Sequence, residues 1–327
     1  MTTFPASRLV SGDVLLYRGT AAISRAIQLL DGTDVSHAGL YLGNRRVGEA
    51  LVKGGLVNNA LADSVVDCEW VLARRQSAAG VDMQPVLDRA RWYLDQGPRY
   101  AYEQILLLAM ICLTRRVRVT PVLRLLMRSA IDRAAAHLLD LVNAGNQEPM
   151  ICSEFVFRCF DEALPEANDR YSLQIGSAAS RGLAWAATGA AESGGVQPHS
   201  LLARMAEDAG FVGTINDPKA AFAARAAEFV PGHDVLESLA ERYVQEVAEG
   251  KIVDEEPDHR ELADSVRNLA SSVRGLPFRG DRASRWAPAA DSDTRSLFDR
   301  FFTTAADFVT PGDLLKTPSL QDLGKLA

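Results

Sequence analysis

Three residues have types and positions that could do chemistry together. His37 and Glu49 stand either side of a turn in DVSHAGLYLGNRRVGEAL (Asp34 to Leu51), and Cys152 opens the amphipathic stretch MICSEFVFRCFDEA. A thiol becomes a nucleophile only as its thiolate. It then needs a base to take its proton and an acid to protonate the leaving group, and histidine does both near neutral pH. A carboxylate hydrogen-bonded to that histidine fixes its tautomer and stabilises its cation, the third role in a triad. Other roles are open to each residue. Cys152 could be one more buried cysteine, His37 a satisfied strand histidine and Glu49 a solvated strand residue.

The elements that must position them can be read locally. SHAGLYLG alternates polar and apolar residues as a half-buried strand does, and GNRR supplies a turn. A three-residue loop, Gly43-Asn44-Arg45, would set Gly39 opposite Glu49 and place His37 diagonally on the same face. A two-residue loop would put them on opposite faces. Glycine in the turn permits the longer form. In the cysteine segment Pro149 interrupts what precedes, and Cys152, Phe155, Val156, Cys159, Phe160 and Ala163 recur on one helical face. Cys152 then lies in the first turn, where free N–H groups and the helix dipole favour an anion and lower a thiol's pKa from about 8.5. Its backbone N–H is a candidate oxyanion donor. Cys159, two turns deeper, reads as packing. His137, His199, His233 and His259 fall in helical or loop segments with no comparable partner.

SGDVLLYRG reads as a strand closed by Gly19, TAAISRAIQLL as a helix capped by Thr20, and SVVDCEWVLARR as a further strand. MQPVLDRARWYLDQGP is helical, stopped by Gly97-Pro98. Tyr102 to Ala144 is mostly helical, and beyond about residue 200 the chain turns to Ala- and Glu-rich helical segments. RGLPFRGDRASRWAPAADSD, Arg274 to Asp293, has the composition of a linker or mobile loop.

Composition bounds the function. The chain has 327 residues, 47% hydrophobic and 24% charged, with a net charge of -7. These are values of a globular protein, and the acidic balance argues against nucleic acid as a partner. Cys68, Cys112, Cys152 and Cys159 form no CxxC pair, so neither a zinc site nor a disulfide framework is expected. MTTFPASRLVSGDVLLY shows no secretory pattern and Ile105 to Leu113 is too short to span a bilayer. A cytoplasmic protein is therefore the expectation, although delivery as an effector is compatible with the same residues.

Taken together, SGDVLLYRGTAAISRAIQLLDGTDVSHAGLYLG, the glutamate of VGEAL and MICSEFVFRCF resemble the circularly permuted NlpC/P60 papain-like proteins. Within them the similarity is to the YiiX/YebB-type amidases and, more distantly, to lecithin:retinol acyltransferase-like enzymes. The order His37, Glu49, Cys152 is the permuted one. The resemblance covers about residues 10 to 180, and VTPGDLLKTPSL (Val309 to Leu320) is similar to a short C-terminal element that returns to the core. It implies an α+β fold: a permuted papain-like core with an antiparallel sheet packed by the cysteine-bearing helix, plus a mainly helical C-terminal region. The expected division is a catalytic core at 8–200, a helical accessory region at 201–273, a linker at 274–293 and a returning segment at 294–327.

The same resemblance implies a thiol hydrolase that needs no metal or organic cofactor. Its substrate would be an amide in a peptide, or an acyl bond in a lipid cleaved phospholipase- or acyltransferase-fashion. Tyr17 and Tyr100 are candidate walls of the substrate site. Residues 105 to 137 are apolar and carry Arg115, Arg116, Arg118, Arg124, Arg128 and Arg133 against Asp132 alone. Such a segment could lie on an anionic membrane. A helical pair covering the sheet, with its arginines in solvent, accounts for it more simply. A module of another class, holding a peptide or acyl chain without cleaving it, would use the same groove.

Overall fold

The computed structural model describes residues 2–51, 55–78, 80–95, 103–117, 120–143, 150–164, 170–175, 196–217, 232–252, 260–273, 296–306 and 308–327. The expected linker at 274–293 and the candidate wall residue Tyr100 lie outside them. The fold is α+β, with a seven-stranded mixed sheet and twelve helices among the described residues.

Two compact units share the chain. The first comprises Met1–Gln104, Pro149–Gly176 and Val309–Ala327, the second Ile105–Glu148 and Ser177–Phe308. This differs from the expected boundaries. Residues 105–148 belong with the later helices and not with the sheet, so the second unit interrupts the first twice. Local composition carries no mark of this, because both units contain amphipathic helices and only long-range contacts tell them apart.

In the first unit the strands are β1 (Thr3–Phe4), β2 (Val14–Gly19), β3 (His37–Gly43), β4 (Arg46–Leu51), β5 (Gly55–Ala60), β6 (Cys68–Gln76) and β7 (Leu320–Leu326). They lie in the order β1-β7-β6-β2-β3-β4-β5. All neighbours are antiparallel except β1 and β7, so the expected antiparallel sheet is corrected to a mixed one. β5 was not foreseen. GLVNNA offers only Leu56 and Val57 as strand formers, and its two asparagines read as turn residues.

The helices of this unit are α1 (Ala22–Asp31), α2 (Leu61–Ser64), α3 (Gln84–Asp95), α6 (Cys152–Asp161) and α12 (Pro311–Lys316). Helix α1 starts at Ala21 without a side-chain cap and closes on Gly32 in the left-handed conformation. Thr20, the expected cap, instead donates to the Asp67 carbonyl at 3.3 Å. One face of the sheet and helices α3 and α6 enclose a core containing Leu16, Ala38, Leu40, Tyr93, Phe155 and Phe160. A smaller cluster of Leu15, Tyr17, Tyr41, Val47 and Leu61 covers the other face.

The C-terminal segment is built into this unit by β7 and by one buried arginine. Arg74 of β6 donates to Asp322 at 2.6 Å and to the carbonyls of Leu314, at 2.7 Å, Leu315, at 2.8 Å, and Leu320. The planar fork of guanidinium donors suits this better than an ammonium would, because one side chain satisfies several acceptors at once. Helix α12 begins with a capping box in which Thr310 and Asp313 satisfy each other's backbone N–H groups.

The second unit is helical: α4 (Glu103–Thr114) from Ile105 on, α5 (Pro121–Asn143), α7 (Leu201–Glu207), α8 (Ala209–Asn216), α9 (His233–Ala248), α10 (Ala263–Val273) and α11 (Leu297–Ala306). Helix α5 packs against α9 and α10. Ile105, Leu107, Leu108, Ile111, Leu123, Leu126 and Ile131 are buried, and among the described residues of this segment Leu125 is the exposed large apolar side chain. The described residues of 105–137 thus contribute to the core of the helical unit. Arg115 is buried, whereas Arg116 and Arg128 are exposed. Among the described residues no helix is long and apolar enough to cross a membrane.

Candidate active site

The β3–β4 hairpin brings His37 and Glu49 together by a route different from the expected loop. The turn has two residues, Asn44 and Arg45, both at positive φ (52° and 58°), as a tight hairpin turn of the primed type requires. Gly43 pairs with Arg46, but Tyr41 pairs with Val47 and Gly39 with Glu49, so the register shifts by one residue between Tyr41 and Gly43. That bulge restores the parity a two-residue turn would otherwise break. The Gly39–Glu49 pairing is the one expected, and the three-residue loop is corrected to a two-residue turn plus a bulge.

His37 Nε2 lies 3.0 Å from Glu49 Oε2. Glu49 is 1% exposed and His37 14%. On the other flank β5 supplies the same diagonal relation: Glu49 pairs with Val57, and Asn59, two residues on, donates to Glu49 Oε1 at 2.9 Å. Ser64, last residue of α2, donates to Glu49 Oε2 at 3.1 Å, and its Oγ is 2.7 Å from the Tyr17 hydroxyl. Both carboxylate oxygens are therefore engaged. Burial alone would raise the Glu49 pKa. The hydrogen bond and charge of His37, with the bonds from Asn59 and Ser64, outweigh it and hold the carboxyl below its ordinary range. An ionised carboxylate only accepts, so His37 presents Nε2–H to it, which makes Nδ1 the basic nitrogen of the neutral ring.

Tyr17, expected as a candidate wall residue, packs beside His37. It is buried, its ring centroid is 5.0 Å from that of His37, and burial pushes its hydroxyl pKa up. Gly39 makes room for it, since a Cβ there would stand 2.8 Å from Val47 Cγ1 and 3.1 Å from the Tyr17 oxygen. Asn59 and Ser64 were not anticipated. Asn59 could have been found by extending the hairpin register into one more strand, but Ser64 reaches Glu49 from a four-residue helix that leaves no periodic trace.

Cys152 is the first residue of α6 and is buried in the core. Ile151 precedes it in extended conformation and offers no capping side chain of its own. Ser153 anchors the same turn by donating to the Val309 carbonyl at 2.7 Å. Helix α6 packs on β3 and β4. A Cβ on Gly48 would meet the Phe155 ring at 3.1 Å, so Gly48 faces α6 and its neighbour Glu49 points to the opposite face. His37, which begins β3, shares the Glu49 face.

The thiols of Cys68, Cys112 and Cys159 are all shifted toward the protonated form. Burial pushes Cys112 up to about 12. Burial also sends Cys159 well above the ordinary thiol value, with the Glu162 charge adding and Arg89 opposing. Cys68 is partly exposed and packs against the cluster holding Tyr17. Burial pushes it up, the His37 charge pulls it down, and Glu49 and Asp67 push up again, for a net rise.

No family model and no curated protein matches the chain. Five chains of solved structures do. One is the metalloprotein YiiX from Escherichia coli O157:H7 (DUF1105), 20% identical, over 48% of this chain and 67% of that chain with a TM-score of 0.30. Among the described residues here, no group of three or more His, Cys, Asp or Glu side chains is placed to hold a metal ion.

Proposed function

We propose that this protein is a thiol hydrolase that cleaves an amide or acyl bond through an acyl-enzyme, with Cys152 as nucleophile, His37 as base and then acid, and Glu49 orienting His37. The observation that carries this proposal is the His37–Glu49 pair. A buried, ionised carboxylate with both oxygens engaged holds one imidazole nitrogen at 3.0 Å. Such a site costs desolvation free energy, and a solvated structural histidine has no need of it. The resemblance of the His37, Glu49 and Cys152 segments to the permuted NlpC/P60 papain-like proteins points the same way.

In the first half-reaction His37 Nδ1 takes the Cys152 proton and the sulfur attacks the carbonyl carbon. The oxyanion is met by the Cys152 backbone N–H at the start of α6, where the helix dipole favours an anion. His37 then gives its proton to the departing amine or alcohol, leaving a thioester. In the second, His37 removes a proton from water, the hydroxide displaces sulfur, and the thiol is restored as the acid leaves. The mechanism requires the first turn of α6 to meet His37 at the end of β3, around the strand terminus and not through the sheet. Amide substrates are the primary assignment and lipid acyl groups the alternative. Incubation with peptide and phospholipid mixtures, followed by mass spectrometry against a Cys152→Ala control, separates the two.

One observation favours a second reading. Cys68 shares the sheet face of His37 and Glu49 and feels the charge of both. In that arrangement Cys68 is the nucleophile and Cys152 is core. The raised Cys68 pKa weighs against it, since a protonated thiol attacks slowly. Loss of turnover in Cys68→Ala with full activity in Cys152→Ala would reverse the assignment.

A further inference from the structure

Glu49 is held by more than the histidine it orients, and the additional contacts have a direction. An ionised carboxylate offers no proton, so the Ser64 hydroxyl must spend its own proton on Glu49 Oε2, at 3.1 Å. The Ser64 oxygen can then only accept from Tyr17, whose hydroxyl stands 2.7 Å away. Burial raises the Tyr17 pKa and keeps it protonated as a donor. The result is a one-way chain, Tyr17 to Ser64 to Glu49, ending on the oxygen that receives the His37 Nε2–H. The chain crosses three elements. Tyr17 comes from β2, Ser64 from α2 and Glu49 from β4, while Asn59 of β5 occupies the other oxygen.

We propose that Ser64 is a positioning residue that acts on His37 through Glu49. This rests on the thiol-hydrolase reading for its consequence in catalysis, but not for its chemistry. Without Ser64, Oε2 is held by His37 alone and the carboxylate can turn about the Asn59 contact. His37 loses its fixed partner, and the anion loses one of its stabilising donors. Tyr17 has the same effect at one remove, and its ring against His37 limits the tilt of the imidazole. The groups facing Glu49 and Tyr17 from packed elements are His37 on β3, Asn59 on β5, Ser64 on α2 and Cys68 on β6. Of these His37 and Cys68 titrate, so the assignment of a pH effect must control for Cys68.

The test uses the full-length protein with glutamate labelled at its carboxyl carbon, the Glu49 signal being assigned by its loss in Glu49→Gln. The Glu49 titration is followed in wild type, Ser64→Ala, Ser64→Thr and Tyr17→Phe, each also in a Cys68→Ala background. In parallel, alkylation of Cys152 by iodoacetamide is followed across pH by mass spectrometry. Ser64→Ala is expected to move the Glu49 titration upward and to slow Cys152 alkylation about tenfold, the scale of one hydrogen bond to a charged group. Ser64→Thr, which keeps the hydroxyl, should restore both, and Tyr17→Phe should shift both less, in the same direction. A Glu49 titration identical in Ser64→Ala and wild type overturns the proposal. A shifted titration with unchanged Cys152 alkylation upholds the Ser64 assignment and overturns the role of Cys152, so the two failures are distinct.

Discussion

Glu49 and Asn59 stand diagonally across β4 and β5 as His37 and Glu49 do across β3 and β4, so one buried carboxylate is flanked on both sides at hydrogen-bond distance: 3.0 Å to His37 and 2.9 Å to Asn59. All its partners donate. An amide in its place must turn an N–H₂ group toward a donor. Glu49→Gln is therefore expected to destabilise the fold by about 1–3 kcal/mol, the cost of an unsatisfied buried polar group, and to leave partial activity. His37→Ala should lower turnover by about 10²–10⁴-fold, the usual contribution of a general base. Urea unfolding and steady-state rates of wild type, Glu49→Gln, Glu49→Ala and His37→Ala check both figures. Equal rates in wild type and Glu49→Ala would remove Glu49 from the mechanism.

The same carboxyl makes stability depend on pH. Its folded pKa lies below the unfolded value, so Glu49 stabilises the fold above the unfolded carboxylate pKa of about 4.3. That contribution is lost as pH falls through the folded pKa. The stability difference between wild type and Glu49→Gln should accordingly be full at pH 6 and shrink steadily in acid. Thermal unfolding of both proteins from pH 6 to pH 3 measures it. A difference that does not change with pH would mean that the carboxylate is not ionised in the fold.

Two glycines on adjacent strands separate the two faces of the sheet. A methyl at Gly39 would press on Val47 and the Tyr17 hydroxyl, and one at Gly48 on the Phe155 ring. Each alanine should cost about 1–3 kcal/mol, as overpacking does. Their functional signatures should differ. Gly39→Ala displaces Tyr17 and should change the His37 imidazole resonances, whereas Gly48→Ala should disturb α6 and Cys152 first. Histidine NMR and thiol alkylation of the two variants distinguish them, and identical profiles would contradict the two-faced arrangement.

What could be read in the chain beforehand divides by range. The Gly39–Glu49 register was legible because period-two alternation and a turn constrain a hairpin from within. The bulge between Tyr41 and Gly43 was not, since it trades a three-residue loop for a two-residue turn at the same final register. Helix α6 was legible from its apolar face. β5 was obscured by its asparagines, one of which turned out to hold Glu49. The division into units was invisible because residues 105–148 are as apolar as a sheet-covering helix pair. Their true partners, such as α10, lie far along the chain.

That placement bears on membranes. Among the described residues of 105–137 Leu125, at 53%, is the large apolar side chain left exposed, and Arg116 and Arg128 are exposed, so contact of this segment with anionic lipid is expected to come from its arginines. Such binding is electrostatic and screened within about 8 Å at physiological salt. Co-sedimentation with anionic vesicles is expected to be weak, to vanish at 0.5 M salt (roughly 4–5 Å of screening) and to fall further in Arg116→Gln/Arg128→Gln. Salt-resistant binding would show that apolar side chains enter the bilayer.

The assignment of the nucleophile is tested most directly by the relative reactivity of the four cysteines. Iodoacetamide modification at neutral pH, resolved residue by residue by mass spectrometry, is compared in wild type and His37→Ala. Cys152 is expected to react first, with a pH profile below the ordinary thiol value of about 8.5, and to slow in His37→Ala while Cys68, Cys112 and Cys159 do not. Modification of Cys68 ahead of Cys152, with Cys152 as inert as Cys112 and Cys159, contradicts the account.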